Sequence, residues 1–524
     1  MSKGVLFVSL YDKSIVASGH ELVSQAAAEI LEAGGNAFDA VVAAGFASAV
    51  VEPALTSLGG GGLLVGRLQT ERRNIFYDFF VDTPGRGSKM DGASSDFFPV
   101  RVDFSGSSQD FHVGLGSVAV PGVLKGLLHT HSNLGSMPFE DVVRPAKELA
   151  RTHVLNGQQA HFLTLLRPIM TLSNYSRGVY QPDGSCLVAG DEIKNLDMAD
   201  FLDRLVHEGD ESFYFGDVAE KIDKEMREGG GILTKEDLAA YRVIERSPLV
   251  LPYRNHLFVT APEPSMGGTL VGLSLIFNAR YGVDQTVWGS REHLFATVSA
   301  MSEVERQRGL GVTDPRSLQA FLADEKQFGD SAHRARFFSR GTTHVSVADR
   351  YGNCASMTCS NGEGSGYVAP GTGVMLNNMM GEDDLHPEGF HSSPSGKRVF
   401  SMMSPSLVIK DDKVELVIGS GGSKRIRTAI SHVVSQVVDF SRPLQTAVDA
   451  PRLYLDGSCL QVEPGFSLEV VEAIEKTEVF GPEFKVNVWP QKDVYFGGVH
   501  AVIPGIEGAG DSRRGGAVRV VPSS

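Results

Sequence analysis

Residues 37–51 are almost wholly apolar and small, which predicts a helix buried on all sides and stopped by Pro53. The stretch before it, 20–34, sets Leu22, Val23, Ala26, Ala27, Ile30 and Leu31 on one face, and Gly34-Gly35 closes that helix. Ser57-Leu58-Gly59-Gly60-Gly61-Gly62 then leads into a strand-like Leu63 to Leu68. Residues 75–84 read as a strand ending at Pro84. Residues 309–341 are polar, rich in Arg, Asp, Gln and Ser, and read as a mobile tail. From Thr342 the pattern turns to short strands. Val345 and Val347 share one face by two-residue alternation, and Thr342, His344 and Ser346 share the other. One face is expected to pack while the other presents hydroxyls and an imidazole. Asp349 to Asn353 make a turn, and Cys354 to Thr358 pairs back. A glycine-rich loop, 359–367, precedes a strand at Val374 to Asn378. Ser404 to Ile409 and Lys413 to Ile418 form a hairpin around Asp411-Asp412. Gly419-Ser420-Gly421-Gly422-Ser423 opens a helix with Ile426, Ile430, Val433, Val434 and Val437 on one face.

Composition narrows the classes. The chain has 524 residues, 42% hydrophobic and 21% charged, an ordinary globular balance at a length that calls for two lobes or one large layered domain. A net charge of −15 argues against nucleic acid and anionic membrane surfaces as partners. Gly4 to Leu10 reads as a strand rather than a signal peptide, because Asp12 and Lys13 follow at once without a small-residue cleavage site. No run of about 18 apolar residues lacks charge, so no transmembrane helix and a cytoplasmic location are expected. Cys186, Cys354, Cys359 and Cys459 match no zinc or redox spacing and read as buried free thiols. His129 and His131 lack a third ligand and read as a solvated helix end. Neither metal nor cofactor is expected.

Two stretches carry candidate chemistry. In GSGGS, successive backbone N–H groups and a helix N-terminus form an anion site, which suits an oxyanion or a phosphate equally. The tetraglycine at 59–62 lacks a nucleotide-site context and reads as close helix–strand packing.

The run TTHVSVADRYGN from Thr342 resembles the start of the small subunit in the γ-glutamyltransferase family of N-terminal-nucleophile hydrolases. GGNAFDAVVAAGFASAVVEP with SLGGGG, the Asn377-Asn378 strand, the Ser404-Pro405 hairpin, GSGGS and Asp511 to Ala517 are similar to the same family, in family order, over about residues 15–521. The resemblance implies an α+β fold, a four-layer αββα sandwich. It implies a precursor cut at Gly341–Thr342 into a large subunit, 1–341, and a small subunit, 342–524. Such a cut would give Thr342 a free α-amine, with a pKa of roughly 8, as its own base. Gly341 has no side chain to hinder attack on its carbonyl. By the same resemblance Gly421 and Gly422 serve the oxyanion, and Ser360 tunes the nucleophile. Asn361 binds the free amine, Glu382 or Asp383 the substrate amino group, and Ser401 the substrate carboxylate. The sequence departs from the family at Phe80, where an arginine holds the substrate carboxylate, at Met402, where a second serine stands, and at Met379, where a polar residue stands. The implied activity is an autoprocessed hydrolase or transferase acting on γ-glutamyl amides such as glutathione. The alternatives are a glutaryl or cephalosporin acylase and an unprocessed, inactive binding protein. The expected partners are a small acyl-amide substrate and the two subunits of one precursor.

Overall fold

A computed structural model describes residues 9–86, 96–104, 107–323, 341–386 and 389–523. Its architecture rests on thirteen strands: β1 Lys13–Ser18, β2 Gly61–Leu68, β3 Arg73–Phe79, β4 Ile244–Glu245, β5 Leu249–Tyr253, β6 His256–Thr260, β7 Thr343–Ala348, β8 Cys354–Ser360, β9 Ser406–Lys410, β10 Lys413–Gly421, β11 Gly498–Ile503, β12 Glu507–Gly510 and β13 Ala517–Pro522. They form two antiparallel sheets. One has seven strands in the order β13-β1-β7-β8-β2-β3-β4, and the other has six in the order β12-β11-β10-β9-β6-β5. Helices α1 Glu21–Glu32, α2 Ala37–Val51, α3 Val123–Leu134 and α4 Phe139–Arg151 cover the outer side of the first sheet. Helices α5 Met266–Arg280 and α6 Arg425–Val438 cover the second. The result is the four-layer αββα sandwich.

Helix α2 occupies the predicted span and is buried at every residue. Asn36 caps it: its side chain accepts from Asp39 N at 3.0 Å, and the Asp39 carboxylate accepts from Asn36 N at 2.9 Å. Its small side chains let it lie on β7 and β8, where Val345, Val347, Ala355 and Met357 join one core. A second core fills the space between the sheets and under α6. The tetraglycine is a close-packing device, since a Cβ at Gly61 or Gly62 would meet Phe80 at 2.8 Å or Phe79 at 2.2 Å.

Several expectations change. The hydroxyl-and-imidazole face of β7 does not face solvent but packs against the second sheet. His344 Nδ1 bonds Thr358 Oγ1 at 2.8 Å and its Nε2 bonds Ser346 Oγ at 3.0 Å. Ser346 in turn donates to His500 O at 2.9 Å, so His344 carries its proton on Nε2. Burial holds this imidazole neutral, well below its usual pKa. GSGGS is not wholly a loop, because Gly419, Ser420 and Gly421 end strand β10 and only 422–424 turn into α6. The tail at 309–341 begins as structure: Pro315–Ala323 is a helix, and Val312, Leu318 and Phe321 are buried against α5. Residues 324–340, and the N-terminal strand expected at Gly4 to Leu10 except for its last two residues, lie outside the described residues. All four cysteines are free, but only Cys354 and Cys359 are buried. His129 sits 3.3 Å from Glu245 and His131 bonds Met137 O at 2.8 Å, so the two serve separate contacts. Among the described residues no helix is long and apolar enough to cross a membrane, and no cluster of three metal-ligating side chains occurs.

Candidate active site

Thr342 stands just before β7, 5% exposed, at the edge of a pocket between the sheets. Register places β7 beside β8, with Thr343 opposite Cys359, so the end of β8 brings Ser360 up to Thr342. Thr342 Oγ1 donates to Ser360 Oγ at 3.3 Å, and Ser360 Oγ donates onward to the Gly341 carbonyl. Gly362 N donates to the same Ser360 oxygen at 3.1 Å. One hydroxyl thus joins the Thr342 oxygen to the carbonyl on the other side of the Gly341–Thr342 peptide. Gly341 N donates to Glu363 Oε1 at 3.3 Å. A Cβ at residue 341 would fall 1.6 Å from the Gly362 carbonyl oxygen, so only glycine fits there.

The glycine turn lies against the same atoms. A Cβ on Gly421 would sit 2.3 Å from Thr342 O, and Gly422 has φ +119° with Gly497 Cα only 2.8 Å from its would-be Cβ. Backbone here approaches backbone in a way that a side chain would prevent. Arg514 Nη1 donates to Thr342 O at 3.1 Å. On the opposite face of the strand, Thr343 Oγ1 donates to Glu52, lying 3.2 and 3.0 Å from its two carboxyl oxygens. Burial pushes the Glu52 carboxyl up to about 7, against the opposing pull of Thr343 and Arg514. Burial and Arg425 bring Arg514 down to about 10, against Asp511, Glu52 and Asp493.

The pocket is an open cleft with about 390 Å³ of free space, its mouth included. Phe80, Met379, Leu385, Met402, Met403 and Ile426 make its apolar wall, and Thr342, Ser360, Ser401, Ser423 and Glu382 supply its polar groups. Over residues 23–521 the sequence matches the family described as Gamma-glutamyltranspeptidase. The chain belongs to this family. It is 30% identical to the glutathione hydrolase proenzyme of Escherichia coli K12, over 92% of this chain and 89% of that one. It is equally 30% identical to the acylase ACY 1 proenzyme of Pseudomonas sp. strain V22, over 88% of this chain and 86% of that one. The crystal structure of cephalosporin acylase from Bacillus halodurans superposes with a TM-score of 0.79 at 24% identity, covering 99% of this chain and 98% of the other, a likeness of fold.

Of the residues that the family resemblance singles out, Thr342, Ser360, Glu382 and Ser401 line one pocket, and Gly421 and Gly422 lie beside its Thr342 end. Asp383 is exposed and off the wall. Asn361 is buried between Gly60 and Gly364, also off the wall, and its amide group makes no hydrogen bond among the described residues. Ser401 Oγ is occupied by Met403 N at 3.0 Å. Phe80 and Met402, the two departures from the carboxylate-binding pattern, both stand on the wall. Sequence reasoning missed Glu52, Glu363, Ser423 and Arg514. Glu52 did leave a signal, a carboxylate closing an otherwise apolar buried helix.

Proposed function

We propose that this chain is a self-processing amidohydrolase or acyltransferase whose nucleophile is Thr342. The observation that carries the reading is the hydroxyl relay from Thr342 Oγ1 through Ser360 Oγ to the Gly341 carbonyl. In the precursor the Thr342 oxygen attacks that carbonyl and the Gly341–Thr342 C–N bond breaks, giving an ester and a free α-amine. Water then releases the Gly341 carboxylate. In the mature enzyme the α-amine takes the hydroxyl proton as Thr342 attacks an acyl amide, the amine product leaves with a proton, and water or a second amine accepts the acyl group. Gly421 and Gly422 would receive the oxyanion, where one backbone donor lowers the barrier by roughly 3 kcal/mol. Mass measurement tests the reading: the purified protein should comprise residues 1–341 and 342–524, and Thr342→Ala should stay one chain. Thr342→Ser should still cut itself. An active protein with no fragment beginning at Thr342 would falsify it.

For the acyl donor, the apolar wall favours a glutaryl-type amide over a γ-glutamyl one. Among the described residues, no arginine or lysine lines the pocket. The Arg86 guanidinium lies at Gly396, with its Nη2 3.5 Å from the carbonyl, and Arg425 is turned to Tyr495, donating to its carbonyl at 2.8 Å. A substrate α-carboxylate therefore meets hydroxyls rather than a guanidinium, a loss of about 1.5–3 kcal/mol, or roughly 10- to 150-fold in kcat/KM. A paired donor panel decides: glutaryl amides should equal or exceed glutathione, and the reverse order by a wide margin would restore the γ-glutamyl assignment.

A further inference from the structure

We propose that Glu52 is a positioning residue: through Thr343 it fixes the first peptide of the C-terminal part, and so aims Thr342. The inference rests on Thr342 being the nucleophile.

Glu52 caps the C-terminal end of α2 and is 6% exposed. Burial there disfavours a carboxylate, and so does the negative end of the helix dipole. An apolar side chain would suit the helix better. What the carboxyl does instead is accept the Thr343 hydroxyl, lying 3.2 and 3.0 Å from it through its two oxygens. Gly19 leaves room for this, since a Cβ on it would lie 2.9 Å from Glu52 Oε1 and 3.2 Å from Thr343 Oγ1. From the other side Arg514 holds the Thr342 carbonyl at 3.1 Å. Thr342 and Thr343 point to opposite faces of the strand, so one anchor faces the helix layer and the other acts on the backbone between them.

Cleavage gives the arrangement its purpose. While the chain is intact, Gly341 tethers Thr342 from behind. Afterwards Thr342 is a chain terminus, and termini fray unless tied down. What then holds it is the bond at Thr343, the bond at the Thr342 carbonyl and the Thr342 hydroxyl on Ser360.

The test is a double-mutant cycle on the full-length protein, with cleavage, Tm, kcat and KM measured on one acyl amide. Glu52→Ala and Thr343→Val should each lower kcat by about 10- to 100-fold, the scale of a displacement of about 1 Å, with KM within about three-fold. The double variant should be no worse than the poorer single one. Glu52→Gln, whose amide oxygen still accepts, and Thr343→Ser should recover kcat to within about five-fold. If Glu52→Ala fails to fold, Thr343→Val and its serine rescue carry the test from the other partner. Losses that multiply in the double variant, a rise in KM that accounts for the loss, or Glu52→Gln as poor as Glu52→Ala would overturn the inference while leaving the nucleophile intact. A parent protein that never cuts before Thr342 would remove the nucleophile, and this inference with it.

Discussion

Gly422 and Glu52 illustrate how much a single position decides near Thr342. Gly422 holds φ +119° with neighbouring backbone 2.8 Å from where a Cβ would be. Gly422→Ala should lower kcat by roughly 100-fold through a displaced oxyanion donor while the far-UV spectrum stays unchanged; undiminished turnover would move that donor elsewhere. The Glu52 carboxyl, raised by burial to about 7, makes a different statement. The folded chain holds this proton more tightly than the unfolded one, so ionisation favours unfolding. The penalty is absent below the ordinary carboxylate range, grows as pH rises, and is complete above about 7, at a size of roughly 3 kcal/mol. In the uncleaved Thr342→Ala chain, Glu52→Gln should therefore raise Tm at about pH 8 and change it little at about pH 4. A Tm difference that is flat across this range would contradict a buried, ionisable carboxyl. Phe80, on the pocket wall, is the position through which the proposed donor preference is tested. Phe80→Arg should shift preference toward γ-glutamyl donors, read as the ratio of kcat/KM values for glutathione and a glutaryl amide.

At the scale of elements, legibility follows how local the cause is. Helix α2 was readable because its signals are contiguous, a run of small apolar side chains with Pro53 beyond its end, and the structure adds the Asn36 cap. Asn36→Ala should lower stability by about 1 kcal/mol, measured as a fall in Tm, since both bonds of its capping box are made. The end of β10 was read as loop because glycine suggests turns, whereas here Gly419 and Gly421 make room for neighbouring chain. A Cβ at Gly419 would strike the His344 ring at 2.2 Å, a neighbour that no local pattern reveals. The helix Pro315–Ala323 was hidden by its polar face, its apolar contribution resting on Leu318 and Phe321 alone. Within the site, Thr342, Ser360 and the glycine pair came from recognisable motifs. Glu52 and Arg514 also lie in recognisable stretches, but their roles were not legible, because they act on residues 291 and 172 positions away.

Across the whole molecule, the proposed cut would not separate two domains. In the seven-stranded sheet, β7 and β8 lie between β1 and β2, and β1 is flanked by β13 on its other side. In the second sheet β9 pairs with β6. Strands from before and after residue 341 are therefore neighbours in both sheets. The two fragments should co-elute on size exclusion after cleavage and part only in denaturant; separation in plain buffer would contradict this topology.

The peptide proposed as the cut site is itself buried, with Gly341 and Thr342 both inside and Gly341 pressed onto the Gly362 carbonyl. Burial keeps a second copy from this bond, so under the proposed processing each chain would be substrate only to itself. Maturation should then run as a first-order clock, with a half-time independent of protein concentration, and mature enzyme should leave added Thr342→Ala chains uncut however long the two are mixed.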